Sequence, residues 1–532
     1  MRLAVTGDSW QSTAAAEPTA PPTVTNWRYP SSEALYGREP ENDEGSPDEL
    51  EFKAKLRAST NNTTRHDGPL SGARVAGDAY LFDKTSNLSP TILSLIGRRL
   101  YNQPDHPISI TKKLIQNTFP QSVCHNVRSP VVTVEKNFDS LGFPEDHPGR
   151  SRTDTYYVNS NHVLRTHTSA HQAAAFEYMA KHKAWSYNIC ADVYRRDSID
   201  RSHFPVFHQM EGAHCFRKSY SPRNRWEALH QRRHAIEANM ERIPRSEGRL
   251  IRVEDAVHNY KSNPLQTEHD EEEVKLLTEH LKLSLESLID RVFTEAAAAG
   301  VGGEEAKGKP IQIRWVEAYF PFTSPSFELE VFWQGEWLEL LGCGIVQQPI
   351  LKKAGLHDAI GWAWGLGVER LAMLLFGIPD IRLFWSTDHR FLSQFQEGKI
   401  TKYEPFSKYP ACYKDVAFWI PASPAAVSPL EARETGVAAA AGGDATKASP
   451  AEVQPAAFHE NDVMEIVRDI GGTLVEDVKL VDEFVHPKSG RKSLCYRINY
   501  RSLERTLTNE EVNDLHRQIT EKMKGDLGVE LR

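Results

Sequence analysis

The apolar positions along this chain change period several times, and each change marks an element. Val274, Leu277, Leu281, Leu285, Leu288 and Val292 recur at steps of three and four, which predicts one long helix with a face packed on a core. Leu114, Ile115 and Phe119 predict a shorter amphipathic helix after His106-Pro107, followed by a β-branched run from Val131 to Val134. Cys190 to Asp200 and Val206 to Cys215 flank Arg201-Ser202-His203-Phe204-Pro205 and predict a hairpin, its proline separating the two strands. Further strands are expected from Phe327 to Gly342, and an apolar helix from about Gly367.

The last part of the chain has its own rhythm. Asp415 to Ile420 predicts a strand, and Asp462 to Ile470 a helix stopped by Gly471-Gly472. Leu474 to Val485 and Leu494 to Tyr500 predict strands around a Pro487-Lys488-Ser489-Gly490 turn. Thr508 with Glu511 forms a capping box for a helix to about Met523, and Val529 to Leu531 closes as a strand. This β-α-β-β-α-β order is ferredoxin-like, and the whole chain is expected to be α+β.

Three stretches interrupt the periodicity. Met1 to about Phe52 is rich in Ala, Thr, Pro and Ser and then turns acidic, so it cannot bury enough apolar surface to fold alone. Mitochondrial presequences are Arg-rich and acid-poor, which this stretch is not. Residues 295–309 and 422–457, rich in Ala and Gly, are expected to be surface insertions. The expected layout is a largely disordered extension over residues 1–75, a main mixed helix-and-strand domain over 76–398, and a linker with the ferredoxin-like domain over 399–532.

Composition narrows the class. The chain has 532 residues, enough for about two to four domains. A net charge of -9 gives no global basic excess, so any RNA contact must come from local patches. The six cysteines are scattered without a Cys-x-x-Cys pair, which predicts reduced thiols and neither a disulfide framework nor a zinc site. The most apolar stretch, Trp362 to Ile378, is broken by Glu369 and Arg370, so no bilayer-spanning helix is expected.

Candidate chemistry gathers at three places. Along the predicted hairpin, strand alternation puts Arg195 and Asp197 on one face and Arg196 on the other, with Phe207, Gln209 and Glu211 aligned on the returning strand. A solvated face carries such residues too. Tyr319-Phe320-Pro321-Phe322 places two rings on one strand face beside Glu328, Glu330, Glu336 and Glu339. A divalent cation or an ammonium would account for carboxylates next to such a core. Gly361-Trp362-Ala363-Trp364-Gly365-Leu366-Gly367-Val368-Glu369-Arg370 has glycines at the wrong spacing for a dinucleotide fingerprint; they more readily let a ligand approach a strand backbone.

Together these segments resemble the class II aminoacyl-tRNA synthetases. Val193 to Asp197 with its hairpin is similar to their motif 2, Gly365 to Arg370 to motif 3, and His106 to Asp139 to motif 1. His167-Thr168-Ser169-Ala170-His171-Gln172, Phe207-His208-Gln209-Met210-Glu211, Tyr319-Phe320-Pro321-Phe322 and Leu341-Gly342-Cys343-Gly344 resemble the phenylalanine enzymes of the single-chain mitochondrial type, from about Asp78 to Arg532. The resemblance implies a class II core, an antiparallel sheet flanked by helices, with a ferredoxin-like anticodon-binding domain behind it. It also implies ATP-dependent activation of L-phenylalanine and transfer to tRNA(Phe), by a monomer in the mitochondrial matrix.

The same resemblance implies roles for residues. Arg195 would grip the α-phosphate and the amino-acid carboxylate, Arg370 the γ-phosphate, and Phe207 would stack on adenine. Ser202, His203 and Phe204 would face ATP, and Glu339 would contact Mg²⁺ or nucleotide. His167, Ser169, Ala170, His171, Gln172, Gln209, Met210 and Glu211 would surround the substrate head group. Phe320, Phe322, Ala363 and Trp364 would form the ring pocket, with Trp364 replacing the usual phenylalanine and shifting a wall. Alternation would point His171 and Met210 away. Lys488, Arg491, Lys492, Arg497, Arg501 and Arg505, with only Glu504 opposing them, are expected to contact tRNA phosphates.

Two other readings stay open: a synthetase-like RNA-binding protein without catalysis, and a class II enzyme for another amino acid. Intact Arg195, Glu339 and Arg370 weigh against the first. The aromatic pair and Ala363 weigh against the second. The family's editing module has no place between these segments, so mischarged Tyr-tRNA is expected to survive.

Overall fold

The glycine-rich segment at residues 361–367 proves to be a central strand, and the sheet around it organises the molecule. The computed structural model describes residues 72–217, 225–244, 250–257, 263–301, 310–333, 335–405, 409–421 and 458–532. Eight strands form the main sheet: β1 Val123–His125, β2 Ser186–Tyr194, β3 Val206–Arg217, β4 Ile251–Asp255, β5 Ile311–Phe320, β6 Thr323–Trp333, β7 Glu336–Val346 and β8 Ala359–Gly367. Their spatial order is β1-β2-β3-β8-β7-β6-β5-β4, antiparallel except for the β1–β2 and β4–β5 pairs at the two edges.

β8 shows why its composition is so uneven. Trp362, Trp364 and Leu366 alternate onto one face and join the main apolar core, while Gly361, Ala363, Gly365 and Gly367 occupy the other. Helices α1 (Pro107–Thr118), α3 (Glu271–Ala298) and α4 (Val368–Phe376) contribute to that core; α2 (Gln172–His182) belongs with Ala213 and Ala363 to a second cluster. The predicted stripe of α3 is fully buried from Val274 to Val292. Asp270 caps the helix by accepting from the Glu273 amide at 3.1 Å, and three glutamates fill its first turn. Complete burial of six branched side chains on one helix anchors the sheet from behind.

Four expectations need correction. The tail assigned to residues 1–75 ends earlier, because Gly72–Val75 pairs antiparallel with Asp78–Leu81 and Val75 is buried; residues 1–71 lie outside the described part. The insertion assigned to 295–309 starts later, because alanines are good helix formers and carry α3 on to Ala298; residues 302–309 lie outside the described part. The first strand of the hairpin ends at Tyr194, six residues short of Asp200. Beyond it the chain leaves the sheet: Ile199 packs into the core of the C-terminal domain, and its carbonyl accepts from the Val478 amide at 2.9 Å. Finally, Phe322 lies in the turn after β5 and not on the strand, although its ring still stacks on Phe320 at 5.9 Å.

The C-terminal domain follows the expected order. β9 (Cys412–Trp419), α5 (Glu460–Gly471), β10 (Val475–Val485), β11 (Lys492–Tyr500), α6 (Asn509–Leu527) and β12 (Glu530–Leu531) form an antiparallel sheet in the order β10-β11-β9-β12. Val416, Phe418, Tyr496 and Ile498 on the sheet meet Val463, Val467, Val512 and Ile519 of the two helices in one buried cluster. The capping box of Thr508 and Glu511 is present. The expected insertion at 422–457 lies outside the described residues.

This domain is tied to the one that carries the main sheet by polar links. Arg196 pairs with Asp462 at 3.0 Å, and Arg468 donates to the carbonyl of Asp197 at 2.6 Å. Arg201 pairs with Glu476, and Arg382 donates to the carbonyl of Val475 at 2.9 Å. The loop over residues 195–205 is thus held by the C-terminal domain at Arg196, Asp197 and Arg201. No helix among the described residues is long and apolar enough to cross a membrane.

Candidate active site

The small face of β8 is the floor of a cavity of about 530 Å³. Register explains the floor: Gly365 sits opposite Glu211 on β3 and Gly342 on β7, while Gly367 sits opposite Gln209. A Cβ on Gly365 would come within 2.7 Å of the Gln209 amide, and one on Gly342 within 2.5 Å of the Phe320 ring. The glycines therefore let a polar and an aromatic side chain lie flat against the sheet, which larger residues would prevent.

His167, Ser169, Gln172, Gln209, Glu211, Phe320, Phe322, Ala363 and Trp364 all border this cavity. Glu211 is its most constrained member. One oxygen accepts from Thr168 Oγ1 at 2.7 Å and Ser169 Oγ at 2.8 Å, and the other from the Tyr187 hydroxyl at 3.0 Å. Burial pushes its carboxyl above the usual range, against the pull of these three hydroxyls. A carboxylate with three neutral donors keeps room for a fourth, and a cationic one would favour its charged form. The buried Oε1 of Gln172, a residue that borders the same cavity, has no partner among the described residues and is a second acceptor left unsatisfied there. His167 stacks on Phe143 at 5.6 Å, and burial pushes its imidazole down to about 3, with the Arg195 charge adding to the effect. It is a neutral wall of the cavity.

Three expected head-group contacts are turned away. Ala170 packs against Val132 and Val163, and His171 meets the Arg165 guanidinium at 3.1 Å. Met210 is buried in the main core, because strand alternation sends it to the face opposite Gln209 and Glu211. Trp364 borders the cavity, but its indole joins the core on the other face and stacks on Phe119 at 5.5 Å. Gly212 accommodates it: a Cβ there would lie 3.0 Å from the indole.

A smaller cavity of about 190 Å³ adjoins the first and gathers every residue expected to face nucleotide: Arg195, Ser202, His203, Phe204, Phe207, Glu339 and Arg370. Arg195 borders both cavities. Its Nε donates to the Thr166 carbonyl at 2.8 Å, and its guanidinium lies 5.7 Å from the centre of the Phe207 ring. Arg370, in the first turn of α4, donates to the Glu339 carbonyl at 3.0 Å and lies 3.6 Å from its carboxylate. The neighbouring Glu369 is buried against His208, which fixes the start of the helix. His203 approaches Arg370 at 3.3 Å and is held by Asp200 at 2.7 Å. Two guanidiniums and an imidazole converging on one space form an anion site.

Glu339 has company. Glu328 and Glu330 stand on β6, Glu330 directly opposite Glu339, and burial followed by the Glu339 and Glu330 charges raises the Glu328 carboxyl. No group of three or more His, Cys, Asp or Glu side chains among the described residues is arranged to hold a metal by itself. One or two carboxylates beside a phosphate site suit a hard divalent cation that takes its remaining ligands from phosphate and water.

The basic cluster differs from expectation. Arg491 pairs with Glu530, Lys492 with Glu483, Arg497 with Asp415, Arg501 with Glu476 and Arg505 with Glu511, so Glu504 is far from the only opposing charge. Lys488, in the β10–β11 turn, forms no ion pair among the described residues. Arg501 is directed to the junction with the catalytic domain, where it also donates to the Tyr409 carbonyl at 2.7 Å. Thr168 and Tyr187, which hold Glu211, escaped the sequence reading. Thr168 lies within a motif run that was singled out, whereas nothing but strand register reveals Tyr187.

The family model of the tRNA synthetase class II core domain (F) matches residues 92–221 and 300–395, and that of the ferredoxin-fold anticodon binding domain matches 451–532. A mitochondrial phenylalanine–tRNA ligase of Saccharomyces cerevisiae is 43% identical over 86% of this chain and 94% of its own length. The mitochondrial enzyme of Mus musculus is 39% identical over 87% and 90%. A chloroplastic/mitochondrial phenylalanine–tRNA ligase of Arabidopsis thaliana is 41% identical over 85% and 83%.

Proposed function

The chain belongs to the mitochondrial phenylalanine–tRNA ligases, and from that premise we propose how its residues divide the two half-reactions. It is a ligase that activates phenylalanine with ATP and aminoacylates tRNA(Phe), using a divalent metal as class II synthetases do. In activation, a carboxylate oxygen of phenylalanine attacks the α-phosphorus of ATP and pyrophosphate leaves. Such a displacement needs positioning and charge neutralisation but no side-chain nucleophile.

Arg195 takes the α-phosphate together with the substrate carboxylate; it is the cation that borders both cavities. Arg370 and His203 take the outer phosphates, and Phe207 provides the flat surface for adenine. Glu211 and the free Oε1 of Gln172 take the ammonium. Phe320 and Phe322 grip the ring, and Ala363 closes the end of the pocket. The metal is Mg²⁺, held by Glu339 with Glu328 near it, and it supplies neutralisation of the triphosphate. In transfer, a terminal ribose hydroxyl of the tRNA forms an ester with the adenylate carbonyl, the bond to AMP breaks, and the hydroxyl proton leaves to phosphate or solvent.

The Arg497 and Lys488 side of the C-terminal sheet contacts tRNA phosphates. The protein acts as a monomer, because α1, whose counterpart builds dimers in the wider class, buries Ile108, Leu114 and Ile115 inside this chain. It works in the mitochondrial matrix, a refinement of the mitochondrial setting of its relatives. The observation that carries the assignment is the position of Arg195 between a phosphate-sized and an amino-acid-sized space. ATP–pyrophosphate exchange run with each of the twenty amino acids tests it. Phenylalanine should stimulate exchange in the native enzyme and fail to do so in Arg195→Met; exchange surviving that substitution would refute the assignment.

A further inference from the structure

Neither the fold nor the amino-acid pocket uses one side chain at the cavity mouth. Tyr319 lines the cavity, yet 77% of its surface is exposed, more than for any other large hydrophobic residue described. The cause is local. The β5–β6 ladder pairs Ala318 with Ser326 and Phe320 with Thr323, so the register shifts across Tyr319. A bulge of this kind re-aims the side chains around it. Phe320 is turned inward over Gly342, and Tyr319 is left presenting its ring to solvent at the entrance.

The transfer half-reaction brings a particular group to that entrance. A ribose hydroxyl at the tRNA terminus must reach a carbonyl carbon inside the cavity, and the base on that ribose is carried to within a few bonds of it. This base is single-stranded and has lost its stacking neighbour on one side. Exposed aromatic rings are the usual platforms for such bases, because every base has a π face. The other incompletely covered rings of the lining, Phe143, His147, Phe320 and Phe322, are half-buried and packed on one another, whereas Tyr319 is exposed, so it is the ring available at the solvent edge.

We propose that Tyr319 stacks on the 3′-terminal adenine of tRNA(Phe) and so positions the terminal ribose for transfer. The proposal rests on the reading of this cavity as the aminoacylation site. It makes Tyr319 a positioning residue for the second half-reaction alone.

Kinetics of the full-length enzyme separate the alternatives. Tyr319→Ala should lower kcat/KM for tRNA(Phe) in aminoacylation by about 10-fold or more, the effect of losing one base stack. Its phenylalanine-dependent pyrophosphate exchange should stay at the native rate. Tyr319→Phe and Tyr319→Trp should restore charging, and Tyr319→Leu should not, since bulk without a π face cannot stack. A tRNA whose terminal nucleotide lacks its base should be a poor substrate for the native enzyme and no worse for Tyr319→Ala than intact tRNA is. Native charging by the alanine variant would overturn the proposal. So would a parallel fall in exchange with a raised KM for phenylalanine, which would make Tyr319 part of the amino-acid pocket. Absence of exchange in the native enzyme would instead overturn the functional reading and this proposal with it.

Discussion

Gly342→Ala tests whether the floor of the cavity shapes the amino-acid pocket. The added Cβ would stand 2.5 Å from the tip of the Phe320 ring and 2.9 Å from the next ring carbon. Carbon atoms pack best at about 3.5–4.0 Å, so the ring tip must move by about 1 Å or the strand must yield. β7 lies between β8 and β6 in the middle of the sheet, so the strand is held on both sides and the ring is the part that moves. Phe320 is stacked on Phe322, and the displacement reaches both rings that grip the substrate. Overpacking of this size costs about 1–3 kcal/mol, which is about 5- to 150-fold in kcat/KM if it falls on the bound substrate. Pyrophosphate exchange should show that loss when phenylalanine is varied, with the KM for ATP nearly unchanged, because the nucleotide cavity does not include Phe320. A thermal melt run beside it separates the pocket from the fold: Tm should fall by only a few degrees. Unchanged kcat/KM for phenylalanine, or an equal loss toward ATP, would refute the reasoning.

Three other outcomes are expected. Arg370→Lys keeps the charge and loses the planar fork, so the KM for ATP should rise roughly 10-fold while the KM for phenylalanine holds; initial rates with each substrate varied check this. The hydrogen bond to Asp200 raises the His203 pKa above its ordinary 6.5, against burial and the Arg370 charge, with Asp197 adding to the rise. Its cationic form therefore adds to ATP binding and to stability fully below about pH 6.5, and both contributions fade as pH climbs through the raised pKa. Between pH 6 and 8.5 the KM for ATP should increase in the native enzyme and stay flat in His203→Gln. Charge reversal should separate two arginines that look alike in the sequence. Arg497→Glu should weaken charging of tRNA and spare both exchange and Tm, whereas Arg501→Glu should also lower Tm, because it sets a second carboxylate beside buried Glu476 at the domain junction. Equal melting behaviour of the two variants would count against that division.

Periodicity and strand parity made much of this legible, and their limits explain what was missed. The α3 stripe, the capping box at Thr508 and the ferredoxin-like order are local patterns, and each was readable because its cause lies within a few residues. The two-sided character of β8 is local too, since large and small residues alternate along Gly361–Gly367, but only the closeness of a ligand to its glycines was read from it. The end of β2 at Tyr194 was not, because the segment that follows is drawn away by Val478, 279 residues after Ile199, and by the core around Ile199, whose other members all lie in the C-terminal domain. The same holds for the charges. Six cations close together in the last hundred residues read as one basic patch, but Asp415 faces Arg497 across β9 and β11, and Glu530 reaches Arg491 from the final strand. Sequence proximity counts charges along a chain, whereas an ion pair depends on register between strands. The residues that can still meet a phosphate are therefore those whose carboxylate partners are exposed and exchangeable. Arg497, paired at the solvent-facing surface, satisfies that condition, and Arg501, held against buried Glu476, does not.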